Sequence, residues 1–263
     1  MKIVACWICY NNIVTLPYSI DAVYDLIDEL VIVDGSFKGK RSTDGTWEYL
    51  QKLKASSKKP LHIVASQMGS LFNKHNEHVD VTGNHDSNLW TWQIDSDEIY
   101  SEANAKAVSE AIRSDKYNGI IVKLMNIERF IDGKFFIANN LDRIDTNQMR
   151  VYRMHKGLNF KTKDSIFEWI VYEDGSEVQR GNNKIHANSK TLRVDHYHCL
   201  ATVEQAIARY NHYGSNDPVG TEARIRSPGN STEEIKMHAL ATKWLPDTMT
   251  NKEYYKALKP FKG

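Results

Sequence analysis

The stretch Trp92-Gln93-Ile94-Asp95-Ser96-Asp97-Glu98 runs an apolar segment straight into three carboxylates. It reads as a buried strand over Trp90–Ile94 that ends in an acidic turn. Upstream, Ile3-Val4-Ala5-Cys6-Trp7-Ile8-Cys9 reads as a first strand, Leu30-Val31-Ile32-Val33 as a second and His62-Ile63-Val64-Ala65 as a third. Between them, Leu16, Ile20, Val23, Tyr24 and Ile27 recur at helical spacing over 16–28. Further helices are expected at about 45–54 and 72–79. Strand, helix, strand in repetition predicts an α/β layer with a parallel sheet.

Downstream the pattern changes. An amphipathic helix is expected over 103–113 and strands over Ile120–Met125, Met149–Met154 and Ile166–Tyr172. Asp132-Gly133 would turn a hairpin within 130–136. Beyond residue 200 the reading is helical. Thr202 with Gln205, and Ser231 with Glu234, have capping-box spacing, and the polar stretch Ser215–Asn230 separates them. The expected organisation is one domain over 1–200 and a helical C-terminal extension over 201–263.

Composition narrows the classes. The 263 residues include 6 Trp, 13 Tyr and 8 Phe, too aromatic for a disordered chain. The 34 basic residues nearly balance the 33 acidic ones. A dedicated nucleic-acid binder is usually far more basic. Cys6, Cys9 and Cys199 form no disulfide framework. Cys6 and Cys9 are three apart on a strand and point to opposite faces, so they read as buried thiols rather than a C-x-x-C centre. No transmembrane run or cleavable leader is seen. The expected location is the cytoplasm, with peripheral attachment to a membrane, or a host cytoplasm if the chain is phage-encoded, also compatible.

The acidic turn carries the clearest chemistry. Asp95 and Asp97 are two apart and share a face on a regular strand. Clustered carboxylates repel unless a cation neutralises them. Their oxygens suit Mg²⁺ or Mn²⁺, which in turn hold a diphosphate. A solvated acidic turn is the plain alternative. Asp34 closes the second strand in Val31-Ile32-Val33-Asp34-Gly35-Ser36 and is suited to a nucleobase, a ribose or a turn cap. Tyr10 follows the first strand, able either to stack on a base or to pack at the rim.

Together these stretches resemble glycosyltransferase family 2, on the GT-A nucleotide-sugar fold. That family has a first strand ending in Ser/Thr-Tyr-Asn, here Cys9-Tyr10-Asn11. Its second strand reads Ile-Val-Val-Asp followed by Gly-Ser-x-Asp-Gly-Thr. Here Val31–Ser36 matches, and an insertion, Phe37–Arg41, separates it from Ser42–Thr46. Ile94–Glu98 matches the family's D-x-D-E strand, and His75-Asn76 its basic-Asn pair. The later motifs appear as Arg150-Val151-Tyr152-Arg153, then Phe160 with Phe167-Glu168, then His196-Tyr197-His198. The likeness covers about residues 1–200.

The resemblance implies a Rossmann-like mixed sheet flanked by helices, and transfer of a sugar from a nucleotide donor, UDP-linked for preference, to an acceptor hydroxyl. It implies that Tyr10, Asp34, His75, Asn76, Asp95 and Arg153 bind the donor. Asp97, with Asp95 and His196, would hold Mn²⁺ or Mg²⁺, and Glu168 would be the general base. His196 is preferred to His198 as the imidazole ligand. The acceptor would be a glycan, a lipopolysaccharide or another hydroxyl-bearing molecule. Hydroxymethylated phage-type DNA is a minor reading, drawn from Lys52, Lys54, Lys58 and Lys59 with Arg224 and Arg226. Two rival functions stand beside this one. Gly83-Asn84-His85-Asp86 echoes a metal-dependent phosphoesterase. A non-catalytic nucleotide-sugar binding module would need no acids, and the acids are present.

Overall fold

A computed structural model describes residues 1–36, 39–66, 71–82, 89–131, 134–137, 147–154, 157–162, 168–171, 185–187 and 192–196. Strand β1 spans Lys2–Cys9, β2 Glu29–Asp34, β3 Leu61–Ala65 and β4 Leu89–Asp95. These four lie side by side and parallel, in the order β3-β2-β1-β4. They are nearly continuous apolar runs, as strands covered on both faces must be.

Helix α1 (Leu16–Val23) links β1 to β2, α2 (Thr46–Ser56) links β2 to β3, and α3 (Leu71–Thr82) precedes β4. Alternate residues of β1 supply two cores. Ile3, Ala5, Trp7 and Cys9 join residues of α1 and α2, and α4 (Glu102–Arg113) adds Ala105, Val108 and Ile112. Val4 and Cys6 face the other way, towards Val79 of α3. The two thiols therefore lie on opposite faces, neither in a disulfide and both buried, as their spacing predicted. Burial, reinforced by Glu29, pushes the Cys6 thiol well above its ordinary range.

The sheet continues past β4 with mixed direction. β5 is Glu98–Ile99, β6 Gly119–Ile131, β7 Lys134–Ile137 and β8 Asn147–Arg153. β8 runs antiparallel between β4 and β6. β6 and β7 form the hairpin expected around Asp132-Gly133, with Ile131 opposite Lys134. β9 (Asn159–Thr162) and β10 (Glu168–Val171) make a separate two-stranded sheet. β11 (Ile185–Ala187) and β12 (Arg193–His196) both run parallel to β6. The expected mixed sheet flanked by helices is present. The C-terminal extension, the polar stretch 215–230 and Gly83–Asp86 lie outside the described residues. Among the described residues, no helix is long and apolar enough to cross a membrane.

The end of β2 turns on a glycine that the packing requires. A Cβ added at Gly35 would stand 2.9 Å from the Ser66 carbonyl oxygen and 3.2 Å from Ser66 Cβ. The obstacle is backbone, held by the Ser66 N–H bond to the Asp34 carbonyl at 2.8 Å. Gly35→Ala is expected to lower unfolding free energy by about 1–3 kcal/mol, the usual penalty for overpacking. Urea denaturation measures it, and an unchanged midpoint would show that this strand end yields easily.

Candidate functional site

The chain steps from β1 outward to β2 and β3, then crosses back to place β4 on the other side of β1. The sheet's topological switch point thus lies between β1 and β4. In open α/β sheets the crevice beyond the carboxyl ends of such strands is where ligands bind. The registers bring the strand ends level: Cys9 opposes Asp34, Ile8 opposes Asp95, and Asp34 opposes Ala65. Tyr10, Asp34 and Asp95 therefore meet at one edge, as the sequence suggested.

The segment after β1 is stitched to residues 42–46. The Asn11 N–H donates to Ser42 Oγ at 2.8 Å, and the Thr43 N–H to Asn11 Oδ1 at 2.8 Å. The Asn12 N–H donates to Thr46 Oγ1 at 2.9 Å, and the Ile13 N–H to Asp44 Oδ2 at 3.1 Å. Asp44 Oδ1 also accepts from the Thr46 N–H at 3.0 Å and so helps start α2. The insertion after Ser36 closes on itself. The Ser36 N–H donates to the Lys40 carbonyl at 2.7 Å, and the Lys40 N–H to Ser36 Oγ at 2.9 Å. With the Ser42 bonds to Asp34, this brings residues 42–46 to the end of β2.

Asp34 is fully buried. Its Oδ2 accepts from the Ser42 N–H at 3.1 Å, and its Oδ1 accepts from the Ser42 hydroxyl and from Cys9 Sγ. Asp34 thereby anchors the 42–46 segment through Ser42.

The D-x-D turn joins β4 to β5 through Ser96-Asp97, both largely buried. Glu98 is wholly buried. Its Oε2 accepts from the Asp95 N–H at 3.2 Å, which closes the turn. Its Oε1 accepts from Arg150 Nε at 3.0 Å and from Arg150 Nη2. Arg150 Nη2 also reaches Asp95 Oδ2 at 2.5 Å. Asp95 keeps 35% of its side chain exposed, so it still faces solvent. Burial pushes the Glu98 carboxyl up to about 8, with the Arg150 guanidinium opposing. The two carboxylates hold Arg150 above its ordinary value against its own burial.

His196 enters by backbone register. β12 pairs antiparallel with β5, and His196 stands directly opposite Glu98. A residue about a hundred positions away thereby joins the acidic turn. Among the described residues, no group of three or more His, Cys, Asp or Glu is arranged to hold a metal. The side chain of His196 lies outside that description, as do those of His75 and Glu168. Carboxylate oxygen and imidazole nitrogen are ligand types that suit Mn²⁺ or Mg²⁺.

Two other expected donor residues are bonded within the fold. Arg153 opposes Trp90 at the amino end of β4, five residues before Asp95. At ~3.3 Å per residue this is about 17 Å from the acidic turn. There it pairs with Asp115 and covers the Trp90 ring at 5.1 Å. The Asn76 amide is engaged by Phe160, accepting from its N–H at 2.9 Å and donating to its carbonyl at 3.2 Å. These two bonds tie β9 to α3. Glu168 heads β10 opposite Thr162. The exposed Lys52, Lys54 and Lys58 lie along or beyond α2, which starts at the site edge and runs away from it. Arg224 and Arg226 lie outside the described residues.

No family model matches the chain, and no curated protein matches it. Solved structures do. Residues 1–349 of S. aureus TarS align over 92% of this chain and 70% of that one, at 15% identity and a TM-score of 0.48. The same protein in complex with UDP-GlcNAc aligns over 92% and 72%, at 13% identity and a TM-score of 0.49. Of the longer TarS structure, this chain covers 42%.

Proposed function

We propose that the chain is a nucleotide-sugar glycosyltransferase, moving a sugar from a UDP-linked donor to an acceptor hydroxyl. The observation that carries the reading is the switch point. Tyr10 and the Asn11–Thr46 network flank it from β1, and the Asp95–Glu98 turn flanks it from β4. Uridine would stack on Tyr10, and the 42–46 segment, anchored by Asp34, would contour its pocket. Asp95 would accept from the ribose. Asp97 and His196 would hold Mn²⁺ or Mg²⁺, which when bound neutralises charge on the departing diphosphate. In the transfer, the acceptor oxygen bonds to the anomeric carbon, the bond from that carbon to the diphosphate breaks, and Glu168 takes the hydroxyl proton.

The deciding experiment is a thermal-shift and calorimetric screen of nucleotides with and without Mn²⁺. A ligand that binds only the folded chain raises its apparent stability by mass action. Stabilisation by UDP that requires Mn²⁺ is the expected result. Stabilisation by Mn²⁺ with no response to any nucleotide would overturn the reading and favour the phosphoesterase. Tyr10→Ala is expected to weaken UDP binding about tenfold, in keeping with ~1–3 kcal/mol for a base stacked on an aromatic ring. Calorimetry reads this directly, and a change confined to acceptor affinity would mean that donor and acceptor sides have been exchanged.

A further inference from the structure

We infer that Arg150 is the positioning residue of the acidic turn, fixing its shape and its charge for a divalent cation. This rests on the proposed function and assigns a role within the same site.

The first observation is a bulge. Along β8, Val151 pairs with Ile120 and Met149 with Ile121, so the register skips Arg150. The bulge shows in the packing. Met149 and Val151 are two apart and would share a face on a regular strand, yet they belong to the cores on opposite faces of the sheet. An inserted residue re-aims the side chain it carries. Here it sends Arg150 to the D-x-D turn.

The second is the geometry of the guanidinium. Its side chain is 9% exposed, and it binds Glu98 through Nε and Nη2 and Asp95 through Nη2. Glu98 in turn accepts from the Asp95 N–H. Arg150 therefore locks both ends of the four-residue turn that carries Asp97, while leaving Asp95 partly exposed.

The third is charge. Asp95, Asp97 and Glu98 bring three carboxyl groups to one turn, and Arg150 sets one positive charge against two of them. A fork is needed because two carboxylates must be met in fixed directions; an ammonium group is a point charge without that directionality.

The test compares wild type with Arg150→Lys, which keeps the charge and loses the fork. Mn²⁺ binding is followed by calorimetry and by the electron paramagnetic resonance of the free ion. UDP binding is followed with Mn²⁺ present, and folding by circular dichroism and thermal unfolding. The expected result is a folded Arg150→Lys that binds Mn²⁺ and Mn²⁺-UDP about tenfold more weakly. If wild type responds and Arg150→Lys binds both as tightly, even with a lowered melting temperature, Arg150 is merely structural and the inference is overturned. If wild type binds neither Mn²⁺ nor UDP, the proposed function falls and the inference with it. The two failures are thus told apart by the wild-type titration.

Discussion

Asp97→Ala is expected to erase the stabilisation that UDP gives in the presence of Mn²⁺, while the ligand-free protein unfolds within about 3 °C of wild type. At a ligand concentration a hundred times Kd, binding adds about 2.7 kcal/mol to the folded state. For a chain of this size that is roughly 5–11 °C in melting temperature. Asp97 lies in the two-residue turn between β4 and β5, outside the interior of either strand, so its loss should cost little in the fold. Asp95 and Glu98 are both bonded to the guanidinium. Turnover should fall by at least about 100-fold, because even the outer partners of metal ligands are worth 10–100-fold. Retention of the Mn²⁺-dependent shift in Asp97→Ala would move the cation away from this turn.

Much of this site was legible because the parallel strands are read from apolar runs, and the residue after each run must lie at the carboxyl edge. That logic found Tyr10, Asp34 and Asp95 without any structure. It also separated Cys6 from Cys9, since the two-residue strand period requires it. What a local reading of sequence does not carry is any step that depends on a partner chosen across the sheet. Arg150 and Arg153 both belong to Arg-Val-Tyr-Arg, and the sequence offers no reason to prefer either. The direction of β8 and the bulge at Arg150 decide, and neither leaves a local signal. Asn76 finds its partner in the backbone of Phe160, 84 residues later. A backbone group carries no residue identity to be recognised in advance. β5 is only two residues long, too short for any periodicity, yet it is the strand that sets His196 opposite Glu98.

Removing the guanidinium altogether is expected to have the larger effect on stability. In Arg150→Met the wholly buried Glu98 keeps its bond from the Asp95 N–H and loses its only cationic partner among the described residues. Breaking a buried ion pair from one side typically costs 3–5 kcal/mol, because the remaining charge stays in a poorly solvating interior. That predicts a melting temperature lower by about 6–20 °C. Protonation offers the variant a partial escape. Burial already pushes Glu98 from 4.5 up to about 8 with Arg150 opposing, and without that opposition the carboxyl rises further. A carboxyl raised in the folded state adds stability that is fully present below its unfolded value and is lost as pH climbs through its folded value. The deficit of Arg150→Met should therefore be smallest near pH 5 and widest above pH 8. Pairing the change with Glu98→Leu removes the stranded charge and should recover most of the loss, since apolar replacement of a buried pair is often neutral or stabilising. The rescued double variant should still bind Mn²⁺ poorly, because the turn that presents Asp97 has lost both of its ties. Urea unfolding of the single and double variants across this pH range measures all of these effects. A single variant as stable as wild type at pH 9 would show that Glu98 is not held as an ion against Arg150.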